Sequence, residues 1–305
     1  QLSHSGRQQD LGGVENLYLK ALSSTDKKDY FHGILCRAMS KPEIAEIVQM
    51  FAQGARRARE AGLDGVELHG ANGYLITQFL SSGINDRRDE YGGNWEARAR
   101  FVLEIVRAIR AEVGQDFHLQ MKINGEDHND WLYPWQKRGN SLDETLNICR
   151  LLMDDGKGVD AFHVSSGSTF PHPRNPPGDL PMRDLARWYD GLISQGTRAG
   201  FNHAIFSNRL TARVFQAYWR WRRGKVIEGI NLPYARAIRA AVRAIDPGVP
   251  VICTGGFQHA DTIAGAIRDG DCDAVSIARA LIANNDLPRI LQTANGPEPG
   301  RECTY

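Results

Sequence analysis

Apolar positions recur along the chain with two alternating periods, and the switch between them marks out its elements. Ile44, Ile47, Val48, Phe51, Ala55 and Ala58 fall at helical spacing behind Ser40-Lys41-Pro42-Glu43. That tetrad reads as a capping box, the serine hydroxyl taking the Glu43 N–H while the carboxylate reaches back. Gly62 stands where the helix should stop. Leu63–His69 then alternates apolar and polar residues over a short run, as a strand does. The unit repeats. Asn94 can cap a helix that buries Phe101, Val102, Ile105, Val106, Ile109 and Val113, and His118–Ile123 follows as a strand. Ser141-Leu142-Asp143-Glu144 is a second capping box, opening a helix through Leu152 and Met153 ahead of a strand at Ala161–Ser165. Tyr234–Ile245 reads as helix, Val249–Cys253 as strand, Ala260–Arg268 as helix and Asp273–Ile277 as strand. Five strands, with the stump of another at Gln1-Leu2, alternate with amphipathic helices, which implies a parallel sheet with helical crossovers.

The stretch Phe170–Gly229 breaks the rhythm. It opens on Pro171, Pro173, Pro176 and Pro177 and carries an aromatic, basic run at Arg213–Lys225 that includes Tyr218, Trp219 and Trp221. An insertion of this size in a strand-to-helix loop packs as structure, contacts a second copy or lines a substrate entrance. The aromatic run suits a helix with one buried and one solvated face better than a nucleic-acid site.

Composition narrows the function. Among 305 residues Lys+Arg number 37 and Asp+Glu 36, a net charge of +1 that leaves no electrostatic footprint for nucleic acid. No apolar run approaches the ~20 residues of a membrane-spanning helix, and Gln1-Leu2-Ser3-His4 lacks the features of a signal peptide. The five cysteines form neither a CxxC pair nor a metal-like spacing, as expected of a reducing compartment, so a cytoplasmic location without a bound metal is expected.

In a parallel sheet the ligand lies beyond the carboxyl ends of the strands. Those positions here carry His69-Gly70-Ala71-Asn72-Gly73-Tyr74, Lys122-Ile123-Asn124, His163-Val164-Ser165-Ser166-Gly167, Thr254-Gly255-Gly256 and Ala278-Arg279. Gly255-Gly256 lets backbone N–H groups approach an anion, and Arg279 can add a charge-assisted contact. The plain alternative is a tight turn. His69, Asn72 and Tyr74 can aim two donors and a phenol at one carbonyl ligand, or can satisfy loop backbone and pack beneath the next helix.

His69–Tyr74, with Leu75, Gln78-Phe79-Leu80-Ser81, Asn85–Gly93 and Arg98, resembles the signature of the Old Yellow Enzyme family of flavin-dependent oxidoreductases. The opening Gln1–Arg7 is similar to that family's third-strand segment, and Thr254-Gly255-Gly256 and Ala278-Arg279 to its phosphate-binding strand ends. The resemblance implies an eight-stranded (β/α)8 TIM barrel, one domain over 1–305 that lacks the first two strands and most of the third. It makes 170–229 an insertion in the loop after the sixth strand. It implies bound FMN, NADH or NADPH as reductant, and an enone or enoyl substrate. His69 and Asn72 would bind the substrate carbonyl and Tyr74 would protonate the α-carbon. Gln1 and Lys122 would face the flavin's pyrimidine edge, Lys122 standing where arginine is common. Gly255, Gly256, Ala278 and Arg279 would hold the phosphate, with Ser165 a further contact, and the Asn85–Gly93 loop would be structural. Arg301–Tyr305 is similar to the start of a Cys-rich segment in iron–sulfur members, from which no cluster is inferred. A homo-oligomer through the insertion is a further expectation. Three readings stand beside the ene-reductase: a dehydrogenase of the same family, a flavin-free barrel lyase or isomerase acting on a sugar phosphate through Lys122, and a non-catalytic remnant.

Overall fold

The computed structural model describes residues 1–9, 19–154, 158–175, 177–292 and 303. Pro176 and, of the closing segment, Arg301, Glu302, Thr304 and Tyr305 lie outside the described residues. A short parallel pair, β1 (Ala21–Ser23) and β2 (Cys36–Ala38), precedes α1 (Lys41–Glu60). The first repeat unit follows as β3 (Gly65–Gly70), α2 (Leu75–Leu80), α3 (Trp95–Val113), β4 (His118–Asn124), α4 (Leu142–Asp154) and β5 (Ala161–Ser165). Next come α5 (Met182–Leu192), α6 (Thr197–Ser207) and α7 (Arg209–Arg223), all between β5 and the following strand. The chain continues through α8 (Leu232–Arg243), β6 (Val251–Thr254), α9 (Ala260–Arg268), β7 (Ala274–Ser276), α10 (Arg279–Ala283) and α11 (Leu287–Gln292).

Strands β3 to β7 pair in chain order and all in parallel, the winding of a partial α/β barrel. The stump at the start of the chain joins this sheet: the Leu2 N–H bonds the Glu67 carbonyl and the His69 N–H bonds the Leu2 carbonyl. The caps read from sequence are in place. Glu43 accepts from the Ser40 N–H at 2.8 Å, Asn94 Oδ1 accepts from the Ala97 N–H at 2.9 Å, and Ser141 and Glu144 exchange both bonds.

Boundaries moved where side chains decided them. Helix α8 begins at Leu232, two residues earlier than the spacing implies, because Pro233 sits in the first turn, where a missing N–H costs nothing. Strand β6 begins at Val251, one residue past Pro250, with the Asp273 carboxylate accepting the Val251 N–H at 2.8 Å. Strand β3 begins at Gly65 rather than Leu63 and runs on through Gly70, so His69 lies within the ladder.

Alternate residues of each strand face opposite ways. Leu68, Leu119, Met121, Phe162, Val164, Val251 and Cys253 pack with Phe51, Phe101, Ile105, Leu152 and Ile238 of the surrounding helices in one core. Each such side chain contributes about 1.5–3 kcal/mol by burial. The other sheet face is polar and lines the interior. A second cluster joins Phe31, Trp131, Leu185, Tyr189, Phe206 and Trp219, fastening α5–α7 onto the segment before α1. In α7 Trp219 is 1% exposed and Trp221 70%, the two-faced helix expected of the aromatic run.

Candidate functional site

The strands end on loops that are locked from several sides. Asn72 (φ 63) and Gly73 (φ 81) are consecutive left-handed residues after β3, and a Cβ on Gly73 would collide with the Ser168 carbonyl. The Asn72 N–H bonds Asn124 Oδ1 at 3.1 Å, and its carbonyl accepts from Gln8 Nε2 at 3.0 Å. Backbone strain of this kind persists only where neighbours over-determine it. Farther out, Arg98 clamps the rim, donating to the Leu80 and Gly93 carbonyls and pairing with Glu144. Arg87 donates to the Met39 carbonyl at 2.7 Å and Asn85 to Phe79 and Tyr91, the structural part expected of this loop.

One cavity of about 340 Å³ opens at this end of the sheet. Its walls include His69, Asn72, Tyr74, Lys122, Gly255, Gly256, Ala278 and Arg279, brought together from four strand ends. Two expected residues lie elsewhere. Gln1 is exposed and its amide bonds the Glu67 carboxylate. Ser165 is fully buried, accepting from Asn72 Nδ2 at 3.1 Å.

Each group has a defined state. Burial, then the nearby Lys122 charge, pushes the His69 imidazole down to about 3, so it is neutral at ordinary pH. Its Nδ1 faces the Ala71 N–H at 3.5 Å, which leaves the ring proton on Nε2 as a donor. The rings of His69 and Tyr74 meet edge to face at 4.6 Å, and burial raises the Tyr74 phenol above its ordinary value. Asn72 Nδ2 points at Ser165 Oγ and, at 3.4 Å, at the Ser166 carbonyl. Burial lowers Lys122 and the neighbouring Glu67 charge counters that. Arg279 Nη2 donates to the Pro177 carbonyl at 2.9 Å, while its buried Nη1 has no hydrogen-bond partner among the described residues. Gly256 has φ 73, and a Cβ there would meet the Ile227 carbonyl. An unsatisfied guanidinium N–H beside a glycine turn that no side chain can occupy fits a phosphate or similar anion. The Cys303 backbone N–H bonds Gln258 Oε1 at 2.9 Å, placing that residue on the same wall.

A second set of polar residues meets on the interior face. His163 Nδ1 lies 2.7 Å from Glu67 Oε2 and its Nε2 2.7 Å from Ser276 Oγ, while Gln120 and Gln1 also donate to Glu67. Burial would raise the Glu67 carboxyl, but these hydrogen bonds outweigh it and hold it at about 2. The signal was available: Glu67 and His69, Gln120 and Lys122 are polar residues two apart in strands whose other positions are apolar, so they share one face. Parallel sheets are ordinarily apolar on both faces.

Residues 1–131 match the NADH:flavin oxidoreductase / NADH oxidase family. The chain is 30% identical to the NADH-dependent flavin oxidoreductase iccE of Talaromyces variabilis, over 95% of this chain and 61% of that protein. It is 40% identical to an NADH oxidase of Thermoanaerobacter brockii, over 95% of this chain and 35% of that protein. Among solved structures it is similar to 2-naphthoyl-CoA reductase, with TM-score 0.64 and 23% identity over 95% of this chain and 36% of that one, a likeness of fold. The chain thus spans 61% and 35% of the two curated relatives.

Proposed function

From the chain's similarity to the NADH:flavin oxidoreductase / NADH oxidase family over residues 1–131 and to its NADH-dependent relatives, we propose that its cavity holds FMN and reduces the C=C bond of α,β-unsaturated carbonyl compounds at the expense of NADH or NADPH. The observation that carries this reading is the gathering of His69, Tyr74, Lys122 and an Arg279 N–H unpartnered among the described residues on one cavity wall. FMN, when bound, supplies the hydride. Arg279 and the Gly255-Gly256 turn would hold its phosphate, with Ala278 beside them, and Lys122 brings a buried positive charge to the same wall.

The chain's own residues polarise the substrate and supply the proton. His69 Nε2–H donates to the carbonyl oxygen and stabilises negative charge that grows there. Asn72 adds a second donor by turning one amide hydrogen from the Ser166 carbonyl, the longer of its two bonds. Tyr74, held protonated by burial and set against the His69 ring, gives its proton to the α-carbon. Residues 1–305 then act as one barrel unit, with 170–229 inserted between β5 and β6.

The absorption spectrum of the purified protein tests the cofactor. Flavin bands with FMN released on denaturation are expected, followed by oxidation of NADH on adding 2-cyclohexenone. A folded, colourless protein that takes up no added FMN overturns the reading. The lowered Lys122 would then favour amine chemistry on a sugar phosphate, and borohydride trapping of a Lys122 adduct would establish it.

A further inference from the structure

A second cavity, of about 500 Å³, adjoins the first. Tyr74, Phe170 and Arg279 line both, so those three side chains form the partition between them. Beyond the partition the chamber is walled by Leu180, Leu185, Trp188 and Trp219, all from the inserted stretch, and by His32. Its surface is almost wholly apolar, in contrast to the cavity on the other side of Tyr74. Trp188 is fixed edge-on against His32, with ring centroids 5.3 Å apart, and against Tyr189 at 5.0 Å. Trp219 is 1% exposed and its indole N–H is spent on the Gly178 carbonyl at 2.9 Å. The chamber therefore presents rigid aromatic faces, its lining carboxylates being Asp179, which pairs with Arg220 and Arg223, and the largely exposed Asp184.

We propose that this chamber holds the apolar body of the substrate, and that Leu185 and Trp188 select enones whose carbonyl head is attached to a fused-ring skeleton. The proposal rests on the ene-reductase reading for the head group. It goes beyond that reading in naming the tail and the residues that choose it. An apolar cavity of about 150 Å³ holds one benzene, so the chamber has room for roughly three fused rings. A rigid ring system suits it better than a flexible chain, because it fills aromatic walls at a smaller entropic cost on binding. The shared position of Tyr74 places the proton donor where head and body would join.

Two measurements on the purified holoprotein separate this proposal from the reading beneath it. The first is turnover of 2-cyclohexenone against a tricyclic fused-ring enone by the native protein, Leu185→Phe and Trp188→Ala. Leu185→Phe narrows the chamber and Trp188→Ala strips one wall. Each is expected to raise KM for the tricyclic enone about tenfold and leave that for 2-cyclohexenone unchanged. The two variants perturb packing in opposite senses, so the loss of one to misfolding still leaves the other to read. The second is binding of 2-naphthol followed by tryptophan fluorescence, which needs no turnover. Naphthol affinity that falls in both variants supports the chamber even if no enone is reduced, in which case the ene-reductase reading alone fails. Equal KM values for the tricyclic enone in all three proteins, with 2-cyclohexenone still reduced, overturn the chamber and leave the reduction standing.

Discussion

Tyr74 and His69 acquire their chemistry from where they are buried. A phenol raised by burial stays protonated, and an imidazole pushed down to about 3 stays neutral, so neither group titrates between pH 5 and 8. Binding of a carbonyl-mimicking phenol to native protein should therefore show no inflection from His69 over that range. Replacing Tyr74 by Phe should slow alkene reduction about 100-fold while leaving flavin reduction by NADH at its native rate, as stopped-flow absorbance of the two half-reactions would show. Equal loss in both halves would remove the proton-donor role. At this scale His69, Asn72, Tyr74, Lys122 and Arg279 were legible because chemistry-bearing types stood just past predicted strands. His163 stood among the strand-end residues, but Glu67, Gln120 and Ser276 were not singled out, although their spacing places them on the interior face. What could not be read was partnership: that Asn72 spends its amide on Ser165, and Arg279 its Nη2 on the Pro177 carbonyl, depends on residues 93 and 102 positions away in the chain.

Among the elements, the strongest signals were caps and periodicity, and they placed α1, α3, α4 and α9 closely. Helix α2 escaped because Leu75–Leu80 is buried on every side, which leaves no polar face to produce a period. Helices α5 and α6 escaped for a different reason. They are held by the aromatic cluster around Phe31 and Trp131, and such packing leaves little trace in local spacing. The joint between elements most exposed to mutation is Arg98. Its guanidinium ties α3 to the end of α2, to Asn140 and to Glu144 at the start of α4, with its own side chain only 4% exposed. Arg98→Ala removes one of two donors from the Leu80 carbonyl, which keeps Asn140 Nδ2, and the charged partner from Glu144, and should cost about 2 kcal/mol in chemical denaturation. A loss under about 1 kcal/mol would mean that water replaces the clamp.

The whole molecule should be sensitive to acid, because three of its buried imidazoles are pushed far below their ordinary value when folded. His69 and His128 lie at about 3 and His172 well below its ordinary value, in each case chiefly through burial. The unfolded chain takes up these protons near pH 6.5, so stability falls as pH drops from about 6.5 toward 3, by up to about 1.4 kcal/mol per unit for each histidine. Asp29 and Glu67, both held at about 2, add a further loss below pH 4.5. Asp127, raised by burial, opposes it. The melting temperature should decline steadily between pH 6.5 and 4, and a flat profile would contradict these assignments. No helix among the described residues is long and apolar enough to cross a membrane. Taken by itself, the sequence determined the alternation of strand and helix, the parallel sheet and the strand ends where chemistry collects, because caps, periods and turn residues act over a few positions. Only the tertiary structure decided which of the interior polar residues pair with one another and that the inserted stretch builds an apolar chamber against Tyr74. Those outcomes depend on side chains meeting across the fold, where packing and desolvation set the energies and local pattern carries no record of them.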